Sequence, residues 1–528
     1  MVGVTENSSP TFLSTGNPCL DLFFQVVPNT PSNSLTNLLH LAWSYNPLTT
    51  LKLICNLRGV RGTGKADKNG FYTAAFWLYE NHPKTLACNL PTFADFGYFK
   101  DFPEILFRIL GMTHVPKMKT QGRCHQIRRP FMKKKGNKKR SSKKSKSEVE
   151  KQSAQEHRHQ QKAEMAKKAL EKYNYDHNYK FLHDRVSELF ADHLKSDIES
   201  YTSSNYDKIS LAAKWCPSLD SSFDRATLLC EAIARRLYPR EEYSEYSGIE
   251  EAHYAYRTYK EMFLMHDEER FKEYLEKVKS GNSKIAAGAL VPHEIIHALE
   301  DDDGGKVAEL QSKRMVEDLR KEGKMKSCIA VCDVSKSMSG TPMEICVALG
   351  LLLSEISDDP WKGKVITFSE NPQMHLVKGE HLRSKIEFVR SMECGKNTNF
   401  QKVFDLILNV AVEGKLAKEH MIKRVFVFSD MEFDKASQRP WETDYMVIKR
   451  KFEEKGYGDA VPEIVFWNLR YSKSIPVVKD QKGVALVSGY SKNMMKLFLD
   501  GKHNELNPEA VMEAAISGDE YNKLVVLD

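Results

Sequence analysis

From Cys328 onward, short apolar runs of strand length alternate with longer runs of helical period. That alternation restricts the fold more than any other property of this 528-residue chain. "CIAVCD" leads to "PMEICVALGLLLSEI", and "KVITFS" and "MHLVK" lead to "HLRSKIEFVRSM". "NFQKVFDLILNVAVE" leads to "RVFVFSD", "YMVIKRKFEEKG" to "EIVFWNL", and "GVALVSG" to "NMMKLFL". Strands with almost no polar interruption are apolar on both faces, so helices must cover both sides of a mostly parallel sheet. The expectation for residues 326–528 is a doubly wound α/β domain.

The rhythm before that point differs. From about Ser34 to Gly281 apolar residues recur at helical spacing: Phe71, Ala75 and Leu78; Leu229, Ile233 and Leu237; Phe271, Leu275 and Val278. A helix striped on one side buries that side against a neighbour, so residues 1–325 are expected to form an α-helical repeat, a HEAT-like solenoid or ring. No clean sequence repeat accompanies the stripes. The first residues lack the basic patch and apolar core of a signal peptide, and no apolar run approaches the roughly 20 residues of a membrane helix. The expectation is an intracellular protein, cytoplasmic or nuclear, with no membrane partner. Ten scattered cysteines without CxxC spacing agree with a reducing compartment. Cys328 and Cys332 share one face of a strand and read as small core residues.

The net charge of +7 is local. Arg128, Arg129, Lys133, Lys134, Lys135, Lys138, Lys139, Arg140, Lys143, Lys144 and Lys146 crowd one tract with no acid among them. Without these 11 of the 78 basic residues, 67 face 71 acidic ones, and the rest of the chain is near neutral. So little apolar content over about 128–147 predicts a disordered basic insertion. The polar run "SEVEKQSAQEHRHQQKAEMAKKALEKY" after it is rich in helix formers and predicts an exposed helix. The basic run is able to neutralise phosphates, and equally resembles a nuclear localisation signal.

Ligands of doubly wound sheets bind at the carboxyl ends of the strands, where strand order reverses. "IAVCDVSKS" puts Asp333, Ser335 and Ser337 at one such end, and "VFVFSD" puts Asp430 at another. Between them "GKNTNF" offers Thr398 at the start of a helix. Two carboxylates and three hydroxyls, with no histidine or cysteine, suit a hard divalent cation: Mg2+, or Mn2+ or Ca2+. With few direct carboxylates such an ion stays electron-poor and accepts a carboxylate from outside. Nothing in the set pairs a nucleophile with a base. As a purely structural alternative, Ser335 and Ser337 cap a helix and Asp430 ends a strand.

"DVSKSM", "NTNFQ" and "VFSDMEFD" resemble the metal-ion-dependent adhesion site (MIDAS) of von Willebrand factor A domains. The resemblance implies metal ligation by Asp333, Ser335, Ser337, Thr398 and Asp430. "STGNPCLDLFF", "WLYENHPKTLACNL", "KIAAGALVPHEI", "VPEIVFWNLR" and "SGYSKNMMKLFL" resemble a family found mainly in plants, which joins a TROVE-like helical-repeat module to a von Willebrand A domain. The stretch from Pro239 to Tyr259 is shorter than that family usually has. Its architecture is similar to that of the Ro autoantigen, a ring of helical repeats closed by such a domain that binds small and misfolded RNAs.

Two further motifs compete. "HEIIH", His293 to His297, matches the zinc metalloprotease signature, with Glu294 as general base. Pro292 directly before it places the motif at a helix start. Glu300 and Asp303 stand where glycine and histidine of the extended pattern belong, leaving Glu309 or Glu317 as third-ligand candidates. "GVRGTGKA", Gly59 to Ala66, fits a phosphate-binding loop except that Ala66 replaces the metal-binding hydroxyl. A helix, rather than a strand, precedes it, which predicts a turn between two helices. The function expected is a non-catalytic, monomeric scaffold. Its partners are a small or structured RNA and a protein presenting an acidic residue to the metal. A protein-only adhesion scaffold is the alternative, and a zinc metalloprotease the remote one.

Overall fold

Among the described residues eight strands are formed: β1 (Val2–Val4), β2 (Pro10–Phe12), β3 (Cys328–Asp333), β4 (Lys364–Phe368), β5 (Met374–Leu376), β6 (Arg424–Ser429), β7 (Glu463–Asn468) and β8 (Val484–Ser488). The structure is a computed structural model. It describes residues 2–6, 10–111, 163–219, 221–238, 290–300, 305–323, 327–368, 371–392, 400–433, 444–499 and 506–528, with a few isolated positions. The basic tract, Thr398 and residues 239–259 lie outside the described residues, as do Phe271 and Leu275.

The C-terminal sheet has the order β5-β4-β3-β6-β7-β8. All its neighbours are parallel except β4 and β5. The chain goes from β3 to one side, then returns to place β6 on the other side, so strand order reverses between β3 and β6. That is the topological switch point of a doubly wound sheet. One face, carrying Ile329, Val331, Val425, Val427 and Phe466, packs on the helix Phe400–Glu413 and its neighbours. The other face meets the helix Thr341–Ile356. A Cβ on Gly350 would lie 2.3 Å from the Cys332 sulfur, so the helix approaches β3 only because this position is glycine. Cys328 and Cys332 are both buried free thiols on that face.

Among the described residues of this region, "NMMKLFL" departs from the expected α-helix. Lys492–Phe498 winds as a 3₁₀ helix in which nearly every side chain is buried.

The N-terminal part is mostly helical, and the chain divides into two compact units. The first comprises residues 1–77, 92–97 and 254–527. Within it, Phe12 exchanges backbone hydrogen bonds with Ile475 at 2.9 and 3.1 Å, attaching the N-terminal hairpin beside the sheet. The helices Pro18–Gln25 and Pro47–Arg58 begin at Asn17 and Asn46, whose side chains cap the first turns. The second unit comprises residues 78–91, 98–253 and 528. Its long helix His177–Thr202 starts at Asp176, which accepts from the Tyr179 amide at 2.9 Å and the Tyr79 hydroxyl at 2.6 Å. Leu229 and Ile233 are buried along the helix Leu229–Leu237 and Leu237 is half-buried, so that stripe faces inward. Phe71, Ala75 and Leu78 are buried on Lys68–Asn81. Among the described residues no helix is long and apolar enough to cross a membrane.

Candidate metal centre

The register Cys332↔Phe428 between β3 and β6 aligns their carboxyl ends. Asp333 ends β3, only 1% exposed. One of its oxygens accepts the Ser335 amide at 3.0 Å and the other the Ser429 hydroxyl at 2.6 Å. The Ser335 and Ser337 hydroxyls are 2.9 Å apart, so these two side chains converge. Asp430 follows β6 and is 2% exposed. Its Oδ1 accepts the Glu432 amide at 3.2 Å. Met431, buried and not a glycine, sits between them at φ 65°. Left-handed backbone at a bulky residue is costly and is held only by its surroundings. Here it turns the loop back immediately after Asp430, and the Ser429 hydroxyl accepts the Met431 amide at 3.2 Å.

The two carboxylates of the cluster crowd each other in a buried place. Burial pushes the Asp333 carboxyl up to about 6, and the neighbouring Asp430 charge adds to the rise against the hydrogen bonds from Ser335 and Ser429. Asp430 Oδ2 is buried and meets no hydrogen-bond donor among the described residues. The Arg470 guanidinium stands 3.5 Å from that oxygen and donates to the Ser337 carbonyl at 3.3 Å, while remaining 47% exposed. Two like-charged buried carboxylates beside two hydroxyls form a donor set for a hard divalent ion, which would relieve their repulsion. Asp333, Ser335, Ser337 and Asp430 would hold it. The structure brings these four together, and Thr398 lies outside the described residues.

Three participants escaped sequence reasoning. Ser429 was findable, because the β3–β6 alignment sets it beside Asp333. Arg470, two residues past β7, carries no motif. Glu432 accepts the Ser474 hydroxyl at 2.9 Å and the Glu6 amide at 2.6 Å, tying the loop after β6 to the one after β7 and to the N-terminus.

The competing motifs have other surroundings. "HEIIH" lies in the short helix Pro292–His297 with Pro292 at its start. The two imidazoles stand edge-on, 6.1 Å between centroids. Glu294 folds back to accept the Val291 amide at 3.4 Å, and His297 contacts Glu344 at 2.9 Å. Glu309 accepts the Leu382 amide at 2.7 Å, and Glu317 lies 3.9 Å from Arg314. "GVRGTGKA" forms a turn between the helices Pro47–Arg58 and Lys68–Asn81. Lys65 is drawn into the core, 2% exposed, with its ammonium donating to the carbonyls of Phe23 and Val26 (3.1 Å for the latter) and to the Ser488 hydroxyl at 2.8 Å. A cation there caps the C-terminus of Pro18–Gln25. Burial pulls the Lys65 pKa down to about 7, with Asp67 acting in the opposite sense.

Comparison with known proteins places the helical part. Residues 5–258 and 254–325 match the family model described as "Domain of unknown function (DUF2828)". The chain belongs to the DUF2828 family. Its residues 327–524, which carry the C-terminal sheet, match a second model, "Domain of unknown function (DUF7788)". "Uncharacterized protein L728" of Acanthamoeba polyphaga mimivirus is 26% identical over 556 residues, spanning 96% of this chain and 86% of the viral protein. The Ro (RSR) protein of Deinococcus radiodurans is a structural neighbour at 14% identity, covering 89% of this chain and 91% of its own, with a TM-score of 0.36. That score is too low to carry fold or function across.

Proposed function

We propose that this DUF2828-family protein is a non-catalytic scaffold whose C-terminal sheet works as a von Willebrand A-type docking domain. The observation that supports this most is the switch-point cluster: Asp333, Ser335, Ser337 and Asp430, converging from two loops, with an Asp430 carboxylate oxygen that accepts no hydrogen bond among the described residues. A bound Mg2+, or Mn2+ or Ca2+, would offer a coordination position to a carboxylate from another molecule. The chain's own residues do the rest. Ser429 and the Ser335 amide orient Asp333, the left-handed turn at Met431 orients Asp430, and Arg470 sets positive charge at the rim. The partner this chemistry fits is a protein presenting an Asp or Glu side chain. The test is Mg2+-dependent capture of partners from extract by the full chain. Capture is expected to vanish with EDTA and with Asp333→Ala; capture that survives both rejects the reading.

A second reading, RNA association, draws on the 11 cations between Arg128 and Lys146. Such a tract binds phosphates irrespective of sequence and with steep salt dependence. Deleting residues 128–146 is expected to weaken RNA binding and flatten its dependence on salt. An intact protein that binds no RNA removes this reading and leaves the docking one standing. Intracellular residence, in cytoplasm or nucleus, and a monomeric state belong to the same proposal.

A further inference from the structure

The antiparallel pair β1–β2 sets Val2 opposite Phe12 and Val4 opposite Pro10. Two strands of three residues bury too little to be stable alone, so the pair depends on what it touches. It touches the loops that follow β6 and β7. On the β7 side the Phe12 backbone pairs with that of Ile475. There the Thr11 hydroxyl donates to the Ile475 carbonyl at 2.9 Å and accepts the Ile475 amide at 2.9 Å. On the β6 side the Thr5 hydroxyl donates to the Phe433 carbonyl at 2.8 Å, and the Glu6 amide donates to the Glu432 carboxylate at 2.6 Å. The other oxygen of Glu432 accepts the Ser472 and Ser474 hydroxyls. Thr5, Thr11 and Ile475 are buried, so water competes little for these bonds.

The loop held in this way is the one that presents Asp430. Only Met431, at φ 65°, separates Asp430 from Glu432. A methionine freed from its surroundings leaves the left-handed region, and the Asp430 carboxylate would turn with it. Glu432 is the joint. Its amide donates to Asp430 Oδ1 at 3.2 Å, while its carboxylate accepts from Glu6. Phe433 extends the tie, since its ring stacks on Phe400 with 4.9 Å between centroids and 14° between planes, and meets Phe368 at 5.5 Å. Phe400 opens the helix Phe400–Glu413 and Phe368 ends β4, so the residue that Thr5 grips also anchors the loop against two further elements.

We propose that β1–β2 is a strap that positions Asp430 and so sets the affinity of the switch-point cluster for a divalent cation. The inference rests on the metal reading of that cluster and deepens it: the site is completed by a residue 428 positions away from the loop it grips. Thr5 is a positioning residue and reaches no ligand atom. A loop already held in its binding conformation loses no affinity to ordering when the ion arrives. A strap that served packing alone would affect the melting temperature and leave the affinity for the ion unchanged.

The test uses Thr5→Val, which removes the hydroxyl without changing charge, and Thr5→Ser, which keeps it. Isothermal titration of Mg2+ into the metal-stripped full chain, well below its melting temperature, reads the affinity. Hydrogen exchange of residues 430–433 in EDTA reads the loop itself. Thr5→Val is expected to weaken Mg2+ binding roughly 2- to 12-fold, the range for one hydrogen bond, and to speed exchange at Met431 and Glu432. Thr5→Ser should match the wild type in both. Thr11→Val loosens the other end of the strap and is expected to act in the same direction, which keeps the test standing if Thr5→Val does not fold. Valine variants that bind Mg2+ as the wild type does, whatever their melting temperature, overturn the strap and leave the metal centre standing. A wild type without saturable Mg2+ binding overturns the metal centre and this inference with it.

Discussion

Lys65→Met tests the electrostatic reading of the core where the structure gives it most leverage. Lys65 is buried, and its pKa falls from 10.5 to about 7 in the folded protein. Between those values the unfolded chain binds more protons than the folded one, so stability rises with pH through this window. Below about pH 7 both states hold the proton, and the penalty for the buried charge is fully present. Each pKa unit is worth about 1.36 kcal/mol. Moving from about pH 7 to about pH 9.5 should therefore add about 3 kcal/mol to the wild type through this group alone. Other groups titrate in the same range, so the readout is the difference between wild type and Lys65→Met, measured by urea unfolding at both values. That difference should shift by about 3 kcal/mol in favour of the wild type on raising the pH. A difference that does not move would show that Lys65 does not change its protonation in the folded state over this range. It would mean that the Phe23 and Val26 carbonyls and the Ser488 hydroxyl keep the ammonium charged throughout.

The same turn supplies a steric prediction. A Cβ on Gly64 would lie 2.1 Å from the Gly59 carbonyl oxygen, and since that neighbour is backbone, Gly64→Ala should cost about 3 kcal/mol in urea unfolding. Removing Arg470, whose guanidinium faces the Asp430 oxygen, should tighten Mg2+ binding a few-fold, as expected for losing a partly exposed competing cation; isothermal titration of Arg470→Ala checks it. Elemental analysis should find no stoichiometric zinc in the purified protein, and His297→Ala should change stability by less than about 1 kcal/mol, its contact with Glu344 being half-exposed.

The strands and helices after Cys328 were legible because each signal is local. Buried parallel strands are continuously apolar, and the helices between them keep their own period. Asp333, Ser335, Ser337 and Asp430 were legible for a related reason, since strand ends announce themselves where apolar residues give way to oxygen-bearing ones. Arg470 was not, because its role depends on how the loop after β7 folds over the loops after β3 and β6. The destination of Lys65 was equally hidden. Its sequence neighbours resemble a phosphate-binding loop, and only the packing of Pro18–Gln25 against β8 shows that the ammonium turns inward. The pairing of Phe12 with Ile475 spans most of the chain and has no local signature.

A single divalent-cation site is proposed at the loops that follow β3 and β6. Isothermal titration of Mg2+ and Mn2+ into metal-stripped full-length protein tests it most directly. One saturable site per chain is expected, lost in Asp333→Ala and in Asp430→Ala while the far-UV circular dichroism stays unchanged. Titrations that show no saturable binding, or binding that both variants retain, would contradict it.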